Sequence, residues 1–426
     1  MLALALVFVM SVTALSGCGG AQQTGGSQSG SSSNPVKLTF AIWDKNQQKA
    51  MQSLCDAYTK ENPNVSIEIQ LTPYKGGEYW TKLEASMNGG TALDVFWINV
   101  LHLDKYTQGG MVEPLNQAVE SQKFDTAQFP ESLVKAYTLN NNLYAIPKDF
   151  DTNAVWYNKD IFDAAGVAYP KAGWTWDDMV AAAKKLTNKD KGIYGIAAPL
   201  DFQTCYYNTI FAAGGYILNS DKTATGYSDA KTQKGIQSWI DLIQSGVSPT
   251  LAQTTETSAD AMFESGKLAM CWAGSYMTPE YMQNDVVKDK IDLVELPSFE
   301  GKEANVINGL GYSVYSKSKQ KDAAEKFALW LGGTEAMKIQ GQAGAVISSR
   351  NDAQKYFADT YPKINLKAYT DKASIATSLP ACLVSSELFD TEAKYLKQAY
   401  SGEMSLADAC TKIDQESTAL LAKIKS

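Results

Sequence analysis

Aromatic side chains stand beside carboxylate and amide side chains at three places in the sequence. Trp43 precedes Asp44, Trp97 lies two residues before Asn99, and a third group begins at Trp272. The first two places follow strand-like segments, at the strand end where open α/β sheets bind ligands. Aromatic faces stack on the C–H faces of sugars while neighbouring polar groups bond the hydroxyls. This combination predicts a carbohydrate site, although Trp43 taken alone is more often a core residue.

Asp149 and Asp151 form an acidic pair two residues apart. Residues i and i+2 of an extended segment point to the same side, so both carboxylates can act on one molecule. Glycoside hydrolases use two carboxylates in this way, but no flanking motif assigns either aspartate a catalytic role. We therefore expect an acidic pair on a polar or ligand-binding loop, with catalysis as the alternative.

His102 is the one histidine of the sequence, so a Ser-His-Asp or Cys-His arrangement and most zinc sites would have to use it. It follows a strand-like segment, but no nucleophile motif lies beside it. The segment Asn308-Gly309-Leu310-Gly311 lacks the third glycine of a dinucleotide fingerprint, and no phosphate-binding loop motif is present. The sequence therefore predicts no catalytic residue, no metal and no cofactor.

The composition is that of an ordinary folded protein. The 426 residues are 45% hydrophobic and 20% charged, with a net charge of −8. Because single cores stop growing near ~250–300 residues, two domains are expected. An acidic balance argues against a nucleic-acid partner, which requires clustered Lys and Arg.

The beginning of the chain has no charged residue before Lys37. Residues 1–17 are apolar but shorter than the ~20 residues of a spanning helix, and they predict a signal peptide. The letters LSGC ending at Cys18 resemble a bacterial lipobox, in which the cysteine is acylated; a buried helix or an uncleaved anchor is the alternative. No Lys or Arg opens the signal, so we expect the true translation start upstream. Residues 18–35, rich in Gly, Ser and Gln, predict a flexible tether with a reach of ~20–25 Å.

Five further cysteines are widely spaced and form no CxxC motif, so a metal ribbon or a thioredoxin-like site is not expected. We expect small buried apolar side chains, and the sequence leaves open whether any two form a disulfide. These cysteines are Cys55, Cys205, Cys271, Cys382 and Cys410.

Strand and helix patterns alternate in the first part of the body. Alternation at 36–42 and 65–71 predicts strands, and the apolar run 94–98 predicts a buried one. Helical spacing at 51–58 and 82–87 completes a β-α-β-α-β order, which is typical of a parallel sheet with helices on both faces.

Two later helices have recognisable ends. Thr175 and Asp178 form a capping-box-like start, and a helix at 321–331 ends at Gly332-Gly333. No repeat is present, and no Pro/Gly-rich linker separates the two expected domains. We therefore expect several short chain crossings between them.

From residue 37 to about residue 424, the chain resembles the bacterial extracellular solute-binding proteins of the maltose-binding-protein-like group, which are the capture subunits of ABC importers. Each matching stretch has low specificity by itself, but all of them occur in the order that is found in the family. The stretches are 42–44, 89–99, 144–149 with 156–160, 263–270 with 274–276, and 308–313.

The resemblance implies a periplasmic-binding-protein-like α/β fold of type II. Two α/β lobes would be joined by crossings near Pro147, Ile291 and Gly344, and would close over a ligand by hinge motion. The implied bounds are 36–147 plus 290–345 for lobe 1 and 148–289 plus 346–426 for lobe 2.

The resemblance also implies a set of ligand-binding residues. Tyr276 stands where relatives often have a stacking Trp, and either aspartate of the acidic pair would accept sugar hydroxyls. Gly309 and Gly311 would allow close backbone approach, although turn glycines fit equally well. The implied set is Trp43, Asp44, Trp97, Asn99, Asp149, Asp151, Tyr206, Trp272, Gly274, Ser275, Tyr276, Asn308, Gly309, Gly311 and Arg350.

The function implied is that of a monomeric, non-enzymatic lipoprotein, anchored through Cys18 outside the cell, that passes a mono- or oligosaccharide to an ABC permease. A polyamine would favour the acidic pair. A polyol phosphate would need cations, of which the candidate loops offer mainly Lys45 and Lys148. A surface glycoside hydrolase or lyase is the alternative from another class, and the identity of the sugar stays open.

Overall fold

The computed structural model describes residues 35–74, 77–90 and 93–425. Its strands are β1 (Val36–Ile42), β2 (Val65–Leu71), β3 (Val95–Asn99), β4 (Thr138–Leu139), β5 (Asn142–Leu143), β6 (Ile146–Asp151), β7 (Asn153–Asn158), β8 (Tyr194–Ile196), β9 (Leu268–Gly274), β10 (Ile291–Glu295), β11 (Asn305–Val314), β12 (Ile347–Ser348) and β13 (Ala376–Ser378).

The helices pack around two larger sheets, β4 and β5 form a separate two-stranded antiparallel sheet, and Phe202–Tyr206 forms a π-helical turn. The helices are α1 (Gln48–Glu61), α2 (Glu78–Asn88), α3 (Val100–Gln108), α4 (Asn116–Ser121), α5 (Glu131–Ala136), α6 (Lys159–Ala165), α7 (Trp176–Leu186), α8 (Tyr207–Ala213), α9 (Ala230–Gln244), α10 (Leu251–Glu256), α11 (Ala259–Glu264), α12 (Thr278–Gln283), α13 (Lys321–Leu331), α14 (Thr334–Gln342), α15 (Gln354–Ala358), α16 (Lys367–Thr370), α17 (Ser385–Tyr400) and α18 (Leu406–Ala422).

The larger sheet has seven strands and is mixed. Its order is β12-β6-β11-β3-β1-β2, and β13 pairs with the beginning of β11. The pairs β1–β2 and β1–β3 are parallel, which confirms the predicted parallel unit. β11 is antiparallel to β3 and β6; no local pattern predicted these partners, because they come from distant parts of the chain.

Local sequence explains the limits of the first elements. In β1, Leu38, Phe40 and Ile42 are fully buried, as the alternation predicts. α1 buries an apolar stripe that ends at Tyr58. The helix stops before Pro63, because a proline disfavours helical backbone at the residue before it.

The smaller sheet has the order β10-β7-β9-β8. β7 is antiparallel to both β10 and β9, whereas β8 is parallel to β9. α7 packs nearby and begins with the predicted capping box between Thr175 and Asp178. Trp176 and Trp239 pack edge-on against Trp272 of β9, with ring centroids 5.9 and 4.9 Å away. These indoles form the core beside the sheet.

The chain passes between the two sheets more than once. β6 ends at Asp151 and β7 begins at Asn153, so Thr152 alone separates a strand of the larger sheet from one of the smaller. Thr152 is fully buried, and its hydroxyl donates to the Tyr369 carbonyl at 2.6 Å. The chain returns between β10 and β11. These short crossings explain why the sequence contains no recognisable linker.

The five cysteines of the body are buried free thiols, as expected for small apolar side chains. The predicted signal peptide, Cys18 and nearly all of the tether lie outside the described residues. Within the described part of the chain, no helix has both the length and the apolar character needed to cross a membrane.

Candidate functional site

A cavity of about 410 Å³ opens where strand ends of the two sheets meet. Its volume lies within the ~300–1,000 Å³ that is usual for small-molecule sites. The lining residues are Trp43, Asp44, Asn46, Gln47, Tyr74, Asn99, Asp149, Phe150, Asp151, Gln203, Tyr276, Met277, Glu280, Asn308, Leu310 and Val346.

One wall of the cavity is aromatic. Trp43 follows β1 and is half-buried, and its ring packs against Tyr74, Tyr79, Trp80 and Trp97 with centroid separations between 4.9 and 5.6 Å. These neighbours fix the orientation of the indole. A ring that is already held in place loses little side-chain entropy when a ligand stacks on it.

Asp44 organises the turn that follows β1. Its Oδ1 accepts from the Asn46 backbone N–H at 2.8 Å, and its Oδ2 accepts from Gln47 Nε2 at 2.9 Å. Gln47 Oε1 in turn accepts from Lys148 Nζ at 2.6 Å. The turn is therefore joined to β6 through two side-chain hydrogen bonds.

Lys148 and Asp149 form a buried ion pair at the base of the cavity. Asp149 Oδ1 also accepts from the Leu310 backbone N–H at 3.0 Å. Burial raises the pKa of the Asp149 carboxyl, and the positive charge of Lys148 opposes that increase. Lys148 thus supplies the counter-charge that allows a carboxylate at this depth.

Asp151, two residues further along β6, is held by a neutral amide. Both of its oxygens accept from Gln203 Nε2, at 3.1 and 2.9 Å. Gln203 Oε1 accepts from Asn308 Nδ2 at 3.0 Å. Burial, followed by the negative charge of Asp149, raises the pKa of Asp151 well above its usual value. The carboxylates of the acidic pair therefore differ in their partners.

The opposite wall follows the end of β9. Tyr276 and Glu280 line it, and a Cβ added at Gly274 would overlap the Tyr276 ring, so glycine leaves the space for that ring. Glu280 Oε2 accepts from Asn46 Nδ2 at 3.4 Å. This bond joins the turn after β1 to helix α12 on the other side of the cavity.

Part of the sequence-predicted set lines the cavity, although its members are far apart in the chain. These lining residues are Trp43, Asp44, Asn99, Asp149, Asp151, Tyr276 and Asn308. Residues that lie on β3, β6 and β11 or directly follow β1 and β9 therefore meet at one place, as expected for strand ends that share an edge.

Several predicted residues lie behind the walls instead. Trp97 is fully buried edge-on to Trp43, because β3 is covered on both faces. Trp272 belongs to the tryptophan core beside β9. Tyr206 is buried, and Arg350 forms a salt bridge with Asp352.

The predicted small residues act through the backbone. Ser275 is fully buried, and its N–H donates to the Thr152 carbonyl at 3.1 Å. A Cβ at Gly309 would lie 2.6 Å from the Asp149 carbonyl oxygen, and one at Gly311 would lie 2.5 Å from an alanine Cβ. Both glycines permit the close packing of β11 on its neighbours.

His102 supports the site from behind. Its Nδ1 lies 2.8 Å from Asn99 Oδ1, and its ring stacks on Trp80 at 3.7 Å. Burial lowers the pKa of His102 to about 4, so the imidazole is neutral at pH 7. In the part of the chain that the structure describes, no three or more His, Cys, Asp or Glu side chains are grouped so that they could hold a metal ion.

Sequence reasoning missed several lining residues. Asn46 and Gln47 directly follow Asp44, so their nearness to a strand end was an available signal. Gln203 and Glu280 had none, because their place depends on packing between distant segments. The missed residues are Asn46, Gln47, Tyr74, Phe150, Gln203, Met277, Glu280, Leu310 and Val346.

Two α/β lobes with a cavity between their strand ends define the class of type II periplasmic binding proteins, which confirms the predicted fold class. Residues 43–338 match the family model for bacterial extracellular solute-binding proteins, and the chain belongs to this family.

Solved structures share this fold, and a curated relative is similar in sequence. An ABC substrate-binding protein from Listeria monocytogenes in complex with cycloalternan has a TM-score of 0.85 at 23% identity, over 91% of this chain and 100% of that chain. An ABC transporter solute-binding protein from Thermotoga lettingae bound with alpha-D-tagatose has a TM-score of 0.80 at 22% identity, with the same coverage. The erythritol/L-threitol-binding protein of Mycolicibacterium smegmatis is 24% identical over 391 residues, 84% of this chain and 80% of that protein.

Proposed function

We propose that this chain captures a carbohydrate outside the cell and delivers it to the permease of an ABC importer. The observation that carries the proposal is a cavity in which the rings of Trp43 and Tyr276 accompany the carboxylates Asp44, Asp149 and Asp151. Rings stack on sugar C–H faces, and carboxylates accept hydrogen bonds from hydroxyls. Relatives named for cycloalternan, tagatose and erythritol or L-threitol support the same class of solute.

The size of the cavity favours a small sugar. A volume of about 410 Å³ lies near the lower end of the range for small-molecule sites. A monosaccharide or a short oligosaccharide suits this space. Affinity in the micromolar range, near −8 kcal/mol, would allow both capture and release.

The charge of the lining separates the alternative solutes. Among the described residues, the cavity lining has four carboxylates, Asp44, Asp149, Asp151 and Glu280, and no Lys or Arg. A polyol phosphate needs cations, so this lining disfavours it. A polyamine is the second candidate, because ammonium groups would pair with these carboxylates.

The proposal includes how the protein works at the cell surface. The two lobes, expected from the sequence at 36–147 plus 290–345 and 148–289 plus 346–426, would each contain one of the two larger sheets, with the crossings shifted to Thr152 and to the segment between β10 and β11. They would close over the solute, and the permease would favour the open form. A lipid on Cys18 and the tether of residues 18–35 would hold a monomeric body outside the membrane. In cells, Cys18→Ser should release the protein into the medium, and its retention on the membrane would contradict the anchor.

Calorimetric titration of the full chain tests the solute class. The panel contains D-tagatose, erythritol, L-threitol, cycloalternan, spermidine and sorbitol 6-phosphate. We expect binding of at least one sugar or polyol, and an affinity loss of roughly tenfold or more in Trp43→Ala through lost stacking area. Trp330→Ala is the matched control, because Trp330 lies on α13 and donates to Glu61 away from the cavity.

Two results would contradict the proposal. If the protein binds spermidine or sorbitol 6-phosphate but binds no sugar or polyol of the panel, a carbohydrate solute is excluded. Release of cleaved products from an oligosaccharide incubated with the protein would replace transport by hydrolysis.

A further inference from the structure

Gln203 connects two lining residues through its side-chain amide. Its Nε2 donates to both oxygens of Asp151, and its Oε1 accepts from Asn308 Nδ2. Asn308 Oδ1 accepts from the backbone N–H of Gly309 at 2.9 Å. Four groups thus form one continuous row of hydrogen bonds along the cavity wall.

The direction of every bond in this row follows from its first member. Both Asp151 oxygens lie within hydrogen-bond distance of the same Gln203 Nε2, and an amide nitrogen can only donate, so both oxygens act as acceptors. Gln203 Oε1 then faces Asn308 and accepts a hydrogen bond from its Nδ2. Asn308 Oδ1 is left to accept from the Gly309 N–H. The orientation of both amides therefore matches two acceptor oxygens on Asp151.

The main chain of Gln203 is anchored beside the chain crossings. Its carbonyl accepts from Asn153 Nδ2 at 2.9 Å and from Asn208 Nδ2 at 3.0 Å. Asn153 opens β7 directly after Thr152, and its N–H donates to Asn305 Oδ1, at the beginning of β11, at 2.8 Å. Gln203 is thus tied to the places where the two sheets are joined.

We infer that Gln203 is a positioning residue that determines solute specificity. It holds the two carboxyl oxygens of Asp151 in a fixed orientation as acceptors, so a solute must present hydrogen-bond donors to them. The inference rests on the proposed function and adds the group that sets its selectivity. Each Asp151 oxygen keeps lone pairs that Gln203 does not use. Because the main chain of Gln203 is anchored at the crossings, we expect the carboxylate to keep its orientation as the lobes open and close. A pre-oriented acceptor costs the solute less entropy on binding.

Other ionisable groups act on Asp151 and must be considered in any pH experiment. Asp149 and Lys148 lie on the same strand, and Asp201 precedes Gln203. The tyrosines whose ionisation the Asp151 charge opposes are Tyr137, Tyr276 and Tyr369. Burial raises the pKa of all three aspartates, and all of these groups are shared by the wild type and the variants below.

Gln203→Glu tests the inference, with affinity measured at pH 8 and pH 6 for the tightest-binding sugar or polyol of the panel above. At pH 8 the variant places a second carboxylate against Asp151, so we expect an affinity loss of roughly 10- to 100-fold. At pH 6 a proton shared by the two carboxylates replaces the amide N–H, and the affinity should recover. Wild-type affinity should stay level or fall over the same change, so the two pH profiles have opposite slopes.

Gln237→Glu is the matched control. Gln237 Nε2 donates to Asp241 Oδ1 at 2.7 Å on the surface of α9, so the variant creates the same Glu–Asp neighbourhood away from the cavity. We expect wild-type affinity at both pH values. If Gln203→Glu does not fold, Gln203→Met replaces it, and its affinity should be roughly tenfold or more below wild type.

The outcomes distinguish the two proposals. If the wild type binds no sugar or polyol, the proposed function fails and the inference fails with it. If the wild type binds but Gln203→Glu binds equally well at pH 8, or is equally weakened at both pH values, only the inference is overturned. Wild-type affinity in Gln203→Met would overturn it in the same way.

Discussion

The ammonium of Lys148 lies 4.4 Å from the centroid of the Trp97 ring, and both side chains are fully buried. This cation–π contact joins the ion pair of β6 to the aromatic packing behind Trp43. The two residues themselves do not line the cavity. They form an inner layer that holds the lining residues Trp43 and Asp149 in place.

Replacing Lys148 by Met leaves Asp149 buried without its counter-charge. We expect the free energy of unfolding to fall by about 3–5 kcal/mol, as when one partner of a buried pair is removed. Urea denaturation at pH 7 measures the change. The double variant Lys148→Met/Asp149→Asn removes both charges and should recover much of the loss. Equal stability of the two variants would show that the isolated charge is not the cause.

Glu392 on α17 makes the stability of the protein depend on pH. It is 2% exposed, and its Oε2 accepts from Tyr207 Oη at 2.9 Å. Burial raises the pKa of Glu392 to about 7, against hydrogen bonds from neighbouring tyrosines that lower it. The folded state therefore keeps its proton while the unfolded chain, with an ordinary Glu pKa near ~4.3, releases it.

The sign follows from this difference in bound protons. The contribution of Glu392 to the free energy of unfolding is fully present below pH ~4.3. It is lost between there and pH ~7, at up to about 1.4 kcal/mol per pH unit. At pH 8 the wild type holds a buried carboxylate at this position, whereas Glu392→Gln holds a neutral amide. The variant should therefore be more stable than the wild type at pH 8. Urea denaturation at pH 5 and pH 8 measures it, with Glu387→Gln on the exposed side of α17 as control. An unchanged difference between the two pH values would contradict the assignment.

Gly274 should control solute affinity through the ring of Tyr276. Its φ of −74° is open to alanine, but the new Cβ would occupy the space of the ring. We expect Gly274→Ala to lower sugar affinity roughly tenfold by displacing a stacking surface. In a Tyr276→Ala background the same substitution should have little further effect. Additive losses in the titrations would show that Gly274 acts by another route.

The cysteines offer a chemical test of the fold and of the anchor. Burial raises the pKa of Cys55 and of Cys410 to about 12, so these thiols should not react with Ellman's reagent at pH 8 in the native protein. After denaturation, five body thiols should react. Cys18 would be a sixth in the unmodified chain and absent from the count once acylated. Rapid reaction of the native body would contradict the burial.

The sequence predicted the parts of the site that depend on strand ends. Trp43, Asp44 and Asn99 follow or end strands whose patterns are readable, so their meeting at one edge could be inferred. Trp97 and Trp272 have similar neighbours in sequence, but their strands are covered on both faces, and alternation does not distinguish the solvent side of such a strand. Residues placed by long-range packing, such as Gln203, have no local signature. The antiparallel pairing of β11 was hidden for the same reason.

Rotation of the lobes about the single-residue passage at Thr152 would set the order in which contacts with a bound solute break. If the lobes rotate about Thr152, the displacement of each residue grows with its distance from Thr152. Asp151 is covalently next to the pivot and moves least, whereas the bond between Asn46 and Glu280 spans the two walls and is separated early. A departing solute would therefore lose its rim contacts first and its hydrogen bonds to Asp151 last. The slow step of release should depend more on Asp151 than on any ring at the entrance.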